Sequence, residues 1–324
     1  MFKDKYHYKK GYLISKLKLL GDEETMFNKI VILEPVLLTK EGVEELKKYC
    51  KELIYYDTDT INDEDTINRI GNADCILVSY KTVINSNIIN NCKNLKYIAM
   101  CCSFYGKQYS KVDIDTAVEK GISFSYLKGH GDNGVVEFTV CQIINLIHGF
   151  GNKRWKNEQL DLTDIKVGIL GLGDIGSRIA KSLQLLGSDV YYYSRTRKEN
   201  EEKKGIKYLE LKELLSTVDI ISINLNRNVC LIGDGNLDIY GNGKIIVNTS
   251  IGYCYEIESL KKWLQNKNNY YICDKPTVNE DIEEILDYEN VIYTDMITGD
   301  TKQCYKRATK QIISNIDKYF KKEI

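Results

Sequence analysis

The chain reads as an α/β protein built on two parallel sheets, and three observations carry that expectation. From Lys29 onward, short apolar runs rich in β-branched residues alternate with helical segments, as they do in parallel-sheet folds. In mid-chain stands IKVGILGLGDIGSRIAKSLQLLGSDVYYYSRTRK, residues 165–198, where strand, glycine-rich turn, helix and second strand follow one another as a βαβ unit. After it the alternation resumes, and a last helix over about 301–322 repeats apolar residues at Tyr305, Ala308, Ile312, Ile316 and Tyr319. That face predicts a helix packed back on the first domain, which makes the first domain discontinuous and the second an insertion. At 324 residues the chain is long enough for two domains, each with its own core.

Taken in order, residues 1–28 form an N-terminal extension rich in Lys and Tyr without a clear period. A flexible segment, a helix on the body and a partner contact all fit it, whereas Asp4, Asp22, Glu23 and Glu24 argue against a transit peptide. The first domain takes in 29–127 and 298–324, the second 128–297. In the first, IVILEPVLL reads as a strand, 42–53 as a helix, IYYD as a strand, 62–70 as a polar helix and ADCILVSY as a strand. A helix near 85–91, the strand LKYIAMCC, a helix in VDIDTAVEKG and the strand ISFSYL complete it. Residues 134–150 carry a long apolar face, Val136, Val140, Ile143, Ile144 and Ile147, suited to a helix that crosses between domains, joins two subunits or simply lies in the core. In the second domain the strands after the βαβ unit are DIISINL, KIIVNTS, YYICD and VIYTD.

The βαβ unit has a chemical reading. Residues 165–170 form a buried strand that runs into Gly171, Gly173 and Gly176, spaced as G-x-G-x-x-G. The first glycine permits the tight turn, the second lets a pyrophosphate approach the backbone, and the third lets the helix pack closely on the strand. The helix, with Ile175, Ile179, Leu183 and Leu186 at its spacing and Gly187 as its stop, starts at Asp174 and Ile175 and offers free N–H groups to a phosphate. The second strand ends at Ser194 and is followed by Arg195, Thr196, Arg197 and Lys198, with no carboxylate at the place where an NAD site holds the ribose 2′-hydroxyl. Two guanidiniums and a hydroxyl favour a 2′-phosphate, hence NADP(H) over NAD(H). The bland alternative is a solvated charged turn.

Composition narrows the classes. Lys and Arg number 45 against 46 Asp and Glu, so no overall field recruits nucleic acid or an anionic membrane, and no basic patch stands out beyond 195–198. No apolar run is long enough to span a bilayer and no signal-peptide pattern is seen, which predicts a soluble cytoplasmic protein. The ten cysteines are scattered, Cys75, Cys141 and Cys273 among them, without a CxxC pair; reduced thiols and no metal site are expected.

With these pieces placed, the chain resembles the D-isomer-specific 2-hydroxyacid dehydrogenase family from about residue 29 to 322. The stretches that carry the resemblance are NLKYIA with VDIDTAVEKGI, GVVEFTVCQII, IKVGILGLGDIGSRIAKSLQLLG, LKELLSTVDIISINL, KIIVNTSIG and NVIYTDMITGDT. The resemblance implies a split substrate domain, an inserted Rossmann-like dinucleotide domain, a cleft between them, a small-molecule substrate and a homodimer built on the interdomain helix. It also implies residues that this chain lacks. Where the family has an Arg that clamps the substrate carboxylate, NTSIG places Ile251; where it has the His that protonates the developing alkoxide, TDMITG places Met296. The Glu that supports that His falls at Asn279 or Glu280, and Phe104 in CCSFYGKQYSK takes the place of a glycine that offers an N–H.

Neither Ile nor Met can pair with a carboxylate or donate a proton, so a simple 2-keto acid is not the expected substrate. Three residues are candidates for the missing chemistry. His130, in KGHGDNG, borders the cleft by resemblance and is a possible acid, or else a loop histidine bonded to backbone. Asp274 matches the family Asp near the nicotinamide, and Asp295 flanks the missing His; Asp300, Lys128 and Tyr105 are polar neighbours. Asn224 and Ser250 stand at strand ends on the carboxyl side of the sheet, where such folds bind ligands. Two functions follow: an NADP(H)-dependent oxidoreductase that transfers hydride to a small carbonyl or imine, or a catalytically silent NADP(H)-binding sensor or scaffold.

Overall fold

The computed structural model describes residues 26–227, 229–252, 254–277 and 283–323, the side chains of 234 and 276 aside, together with the backbone of 7–9 and 12–16. These residues fall into two compact units, one made of the described residues up to His130 and from Lys302 on, the other of Gly131–Thr301.

In the first unit the chain order is β1 (His7–Lys9), β2 (Tyr12–Lys16), β3 (Phe27–Ile32), α1 (Lys40–Leu46), β4 (Cys50–Tyr56), α2 (Asp63–Ile70), β5 (Cys75–Val78), α3 (Ser86–Asn91), β6 (Tyr97–Ser103), α4 (Ile114–Glu119) and β7 (Ser123–Leu127). The sheet order is β1-β2-β4-β3-β5-β6-β7, parallel from β4 to β7. Its central strands are apolar on both faces because helices cover both. Ile30, Ile32, Leu77 and Ala99 face one layer that contains Leu46, Ala308, Ile312 and Ile316; Val31, Leu33, Ile76 and Ile98 face the other, with Ile70, Ile88, Ile114 and Ala117. Residues 302–320, the last helix, thus complete the first layer.

Two expectations are corrected. The helix read over 42–53 stops at Leu46; one 3-10 turn (Lys47–Tyr49) follows and β4 begins at Cys50. The spacing of Leu46, Cys50 and Leu53 suits a helix, but Leu53 and Ile54 belong to opposite faces of the sheet, which only a strand permits. In the extension the described residues 7–9 and 12–16 form two strands paired antiparallel, where a helix was one of the forms considered. β2 pairs antiparallel with the edge strand β4, Tyr12 opposite Tyr56 and Lys16 opposite Glu52.

The second unit runs through α5 (Asp132–His148), β8 (Lys166–Leu170), α6 (Asp174–Leu185), β9 (Asp189–Tyr193), α7 (Glu199–Glu202), β10 (Lys207–Tyr208), α8 (Leu211–Thr217), β11 (Ile220–Ile223), α9 (Asp234–Tyr240), β12 (Ile245–Asn248), α10 (Ile257–Leu264), β13 (Tyr270–Asp274) and β14 (Val291–Thr294). The order β10-β9-β8-β11-β12-β13-β14, parallel throughout, is that of a Rossmann sheet, and its direction of winding reverses between β8 and β11. α11 (Lys302–Phe320) then returns the chain to the first unit. No helix among the described residues is long and apolar enough to cross a membrane, and no cluster of His, Cys, Asp and Glu among them could hold a metal ion.

Arg69 on α2 ties together loops at the carboxyl ends of the first sheet. Its guanidinium donates to the carbonyls of Leu33 (2.9 Å), Thr58 (2.6 Å) and Asp59 (2.9 Å), lies 3.1 Å from Asp65 and stacks on Tyr56. Arg69→Ala strands these buried acceptors and should lower stability by about 2 to 3 kcal/mol in urea unfolding. Lys81→Ala, which breaks only the exposed pair with Asp59, should change it by less than about 1 kcal/mol; equal effects would contradict the assignment.

Candidate functional site

β8 delivers the glycine turn to the point where the sheet reverses. Gly171 has φ +91°, and a Cβ there would lie 2.3 Å from the carbonyl oxygen of Asn224, so the turn closes directly against the end of β11. The Gly171 N–H donates to Tyr193 and the Asn224 N–H to Leu170, both at 2.8 Å, which locks β9, β8 and β11 at their carboxyl ends. At Gly176 a Cβ would meet the Gly171 carbonyl oxygen at 2.1 Å. The space beside Gly173 is open, and Gly173 caps α6 without any side-chain hydrogen bond. Asp174 is exposed in the first turn, while Ile175 packs on the core and leaves only its backbone to a ligand. An uncapped twelve-residue helix behind an open glycine fits a pyrophosphate.

Beyond β9 the turn is more ordered, and less positive, than its sequence implies. The Ser194 hydroxyl donates to the Thr196 carbonyl, and Thr196 is exposed. Arg195 is exposed and makes no ion pair among the described residues, whereas Arg197 grips Glu202 through Nε at 3.1 Å and through a second nitrogen, and lies over the Tyr208 ring. The Tyr192 hydroxyl donates to Glu202 at 2.7 Å and accepts from the Lys198 N–H at 2.6 Å. Arg197 holds the Glu202 carboxyl below the usual range. So a carboxylate does stand near this strand end, brought in by α7, and one of the two guanidiniums is already engaged. Sequence reasoning missed Glu202 because no fixed spacing points to it.

Along the other strand ends the polar groups divide into committed and open ones. The Ser250 hydroxyl donates to the Ile223 carbonyl (3.1 Å) and accepts from the Leu225 N–H (2.8 Å), so it braces β11 against β12 and has nothing left to donate to a ligand. Asn224 donates its amide to Ser222, while its side-chain oxygen is buried without a hydrogen-bond partner among the described residues. Asp274, at the end of β13, is 1% exposed. Oδ2 accepts from the Thr298 hydroxyl (2.6 Å) and N–H (3.3 Å); Oδ1 is buried with no partner among the described residues, and burial raises the carboxyl pKa. Thr298 is itself fixed, because its carbonyl lies 2.1 Å from where a Cβ on Gly134 would be. Thr298 gave no signal in the sequence.

Asp295 does not have the character of an acid catalyst. It is exposed, 2.9 Å from Lys275 and 3.0 Å from the Tyr293 hydroxyl, and Lys275 holds it ionised below its ordinary pKa. The apolar replacements Ile251 and Met296, 40% and 65% exposed, follow β12 and β14, beside Asp274 in strand order. Asn279 and Glu280 lie outside the described residues.

His130 and Lys128 belong to the first unit. The His130 carbonyl accepts from Arg307 Nε at 2.8 Å, and Lys128 exchanges two backbone hydrogen bonds with the Gln311 side chain. Phe104, read as a pocket residue, turns into its own unit instead, with its ring 5.0 Å from Tyr126 and 6.2 Å from Phe124, while Tyr105 and Asp300 are exposed.

Comparison with known proteins agrees with this architecture. Residues 141–297 match the family described as D-isomer specific 2-hydroxyacid dehydrogenase, NAD binding domain. A hydroxypyruvate reductase of Blautia hydrogenotrophica is 27% identical over 322 residues, 90% of this chain and 97% of the relative. The NAD+-bound 3-phosphoglycerate dehydrogenase of Entamoeba histolytica shares the fold with a TM-score of 0.73 at 21% identity, over 92% of this chain and 97% of its own. So does an acyclic imino acid reductase solved with NADPH and D-Arg, with a TM-score of 0.74 at 20% identity over 91% and 97%. With its glycine turn at the sheet reversal and the family match over residues 141–297, the second unit carries the NAD(P)-binding domain of the D-isomer-specific 2-hydroxyacid dehydrogenase family, and the chain as a whole is similar to members of that family.

Proposed function

We propose that this chain is an NADP(H)-dependent oxidoreductase that reduces a small carbonyl or imine other than a simple 2-keto acid. The observation that carries the substrate half is the pair of exposed apolar side chains, Ile251 and Met296, where the family places a cation and an imidazole. A carboxylate substrate would find no counter-charge there, whereas an uncharged or amine-bearing carbon skeleton loses nothing. The cofactor half is supported by the open Gly173, the uncapped α6 and the unpaired Arg195. A related fold carries NADPH in the imino acid reductase, which is compatible with the cofactor half.

When bound, the nicotinamide supplies the hydride; the chain supplies position and a proton. Gly171, Gly173, Asp174, Ile175 and Gly176 hold the pyrophosphate, while Ser194, Arg195, Thr196 and Arg197 surround the adenosine ribose. Asn224 and Asp274 present buried unpaired oxygens to amide or hydroxyl donors. Asp274 is also our candidate proton donor, since burial favours its neutral form. His130 is the alternative donor from the first unit. A second reading, a silent NADP(H)-binding sensor, is favoured by the loss of Arg and His together and by the ion-paired state of Asp295.

α5 carries the proposed dimer contact. Val136, Val140, Cys141 and Ile144 line an apolar groove on it with Ser182 of α6.

Three outcomes check these readings. Titration with NADPH should enhance nicotinamide fluorescence, and Gly176→Ala, which drives a Cβ into the Gly171 carbonyl, should abolish the effect; binding without turnover of any carbonyl or imine in a panel would favour the sensor. The raised pKa of Asp274 means that its favourable contribution is full below the unfolded-state pKa and is lost as pH rises through the folded value. Asp274→Asn should therefore gain in Tm relative to the parent as pH rises above about 4, and lose on the order of 100-fold in turnover; a pH-independent Tm difference would rule out the raised pKa. Val140→Asp should halve the mass seen by light scattering if α5 is the dimer seam.

A further inference from the structure

We infer that Glu202 sets how strongly the second unit prefers a 2′-phosphorylated adenosine ribose over a plain one, by closing Arg197 into a pair and leaving Arg195 as the free guanidinium at the end of β9. The inference rests on the NADP(H) reading above and adds to it a residue that works against the phosphate.

Glu202 is held from several sides. Arg197 meets it with two nitrogens, the forked geometry that makes arginine–carboxylate pairs strong, and the Tyr192 hydroxyl donates to the same carboxylate at 2.7 Å. Tyr192 is in turn fixed by the Lys198 N–H, and Arg197 is flattened on the Tyr208 ring 4.8 Å away. The Glu202 side chain is only 21% exposed against 60% for Arg197, so the carboxylate is the anchored partner and the guanidinium the movable one. The neighbouring Glu201 does not compete for Arg197, because Lys181 and Lys204 hold it.

Two consequences follow from charge alone. A phosphate arriving beside Ser194 and Arg195 must either accept one guanidinium or pull Arg197 away from a carboxylate that already satisfies it. Glu202 also adds a negative charge close to where a 2′-phosphate would stand, and a carboxylate is the group that accepts ribose hydroxyls in NAD sites. The turn is therefore tuned for a moderate preference, readable in either direction by one substitution.

The test is fluorescence titration of the full chain with NADPH and with NADH, together with 2′,5′-ADP as a competitor. Glu202→Gln keeps an oxygen for Tyr192 and frees Arg197; it should raise the NADPH-over-NADH affinity ratio roughly tenfold. Arg197→Ala added to Glu202→Gln should cancel that gain. Glu202→Ala should give the same gain if the Gln variant fails to fold. A ratio unmoved by either Glu202 variant, while both nucleotides still bind, would overturn the inference and leave the NADP(H) reading standing. If neither the parent nor the variants bind any of the three probes, the cofactor reading fails and the inference falls with it.

Discussion

The second unit depends on one close approach of backbone to backbone. The Gly171 carbonyl oxygen and the Cα of Gly176 leave no room for a methyl group, and Gly171 is itself wedged under the carbonyl of Asn224. That contact seats α6 on β8 at the reversal of the sheet, so the uncapped helix end and the unpaired groups at the strand ends share one edge. A side chain at Gly171 or Gly176 would lever the helix off the strand and displace the other polar groups with it. Packing therefore fixes these two positions, while the space beside Gly173 is open.

Along that edge, some polar groups are saturated and, among the described residues, others are not. Ser250 uses its hydroxyl in both directions between β11 and β12, whereas the outer oxygen of Asp274 is left open in a buried setting. An unpaired buried acceptor is unfavourable by itself, so the open oxygen of Asp274 is a cost that the fold carries. Beside it in strand order, the residues that follow β12 and β14 are the exposed and apolar Ile251 and Met296.

Much of this was legible in the residues, and the failures have physical reasons. Glycines at 171 and 176 are legible because each answers to a backbone constraint that no other residue meets, Gly173 through its spacing from them, and the strands around them because both of their faces are apolar. The spacing of Leu46, Cys50 and Leu53 points to a helix over 42–53; only the packing of Leu53 and Ile54 on opposite faces decides for a strand. Glu202, Thr298 and the inward turn of Phe104 depend on where loops fold back, which no local spacing encodes, and the ion pair that keeps Asp295 charged depends on a lysine that follows a different strand.

The first unit is covered on one face by the final helix, and that has a consequence for how the protein is made. Ile30, Leu77 and Ala99 are covered by Ala308, Ile312 and Ile316, which leave the ribosome only after the whole second unit has emerged. The second unit is one unbroken stretch and can fold during synthesis, whereas the first must wait with part of one side of its sheet uncovered until residues 302–320 have emerged. Nascent protein thus passes through a stage in which a finished nucleotide-type domain hangs from an unfinished neighbour with an open apolar sheet face, the stage at which chaperones would find it.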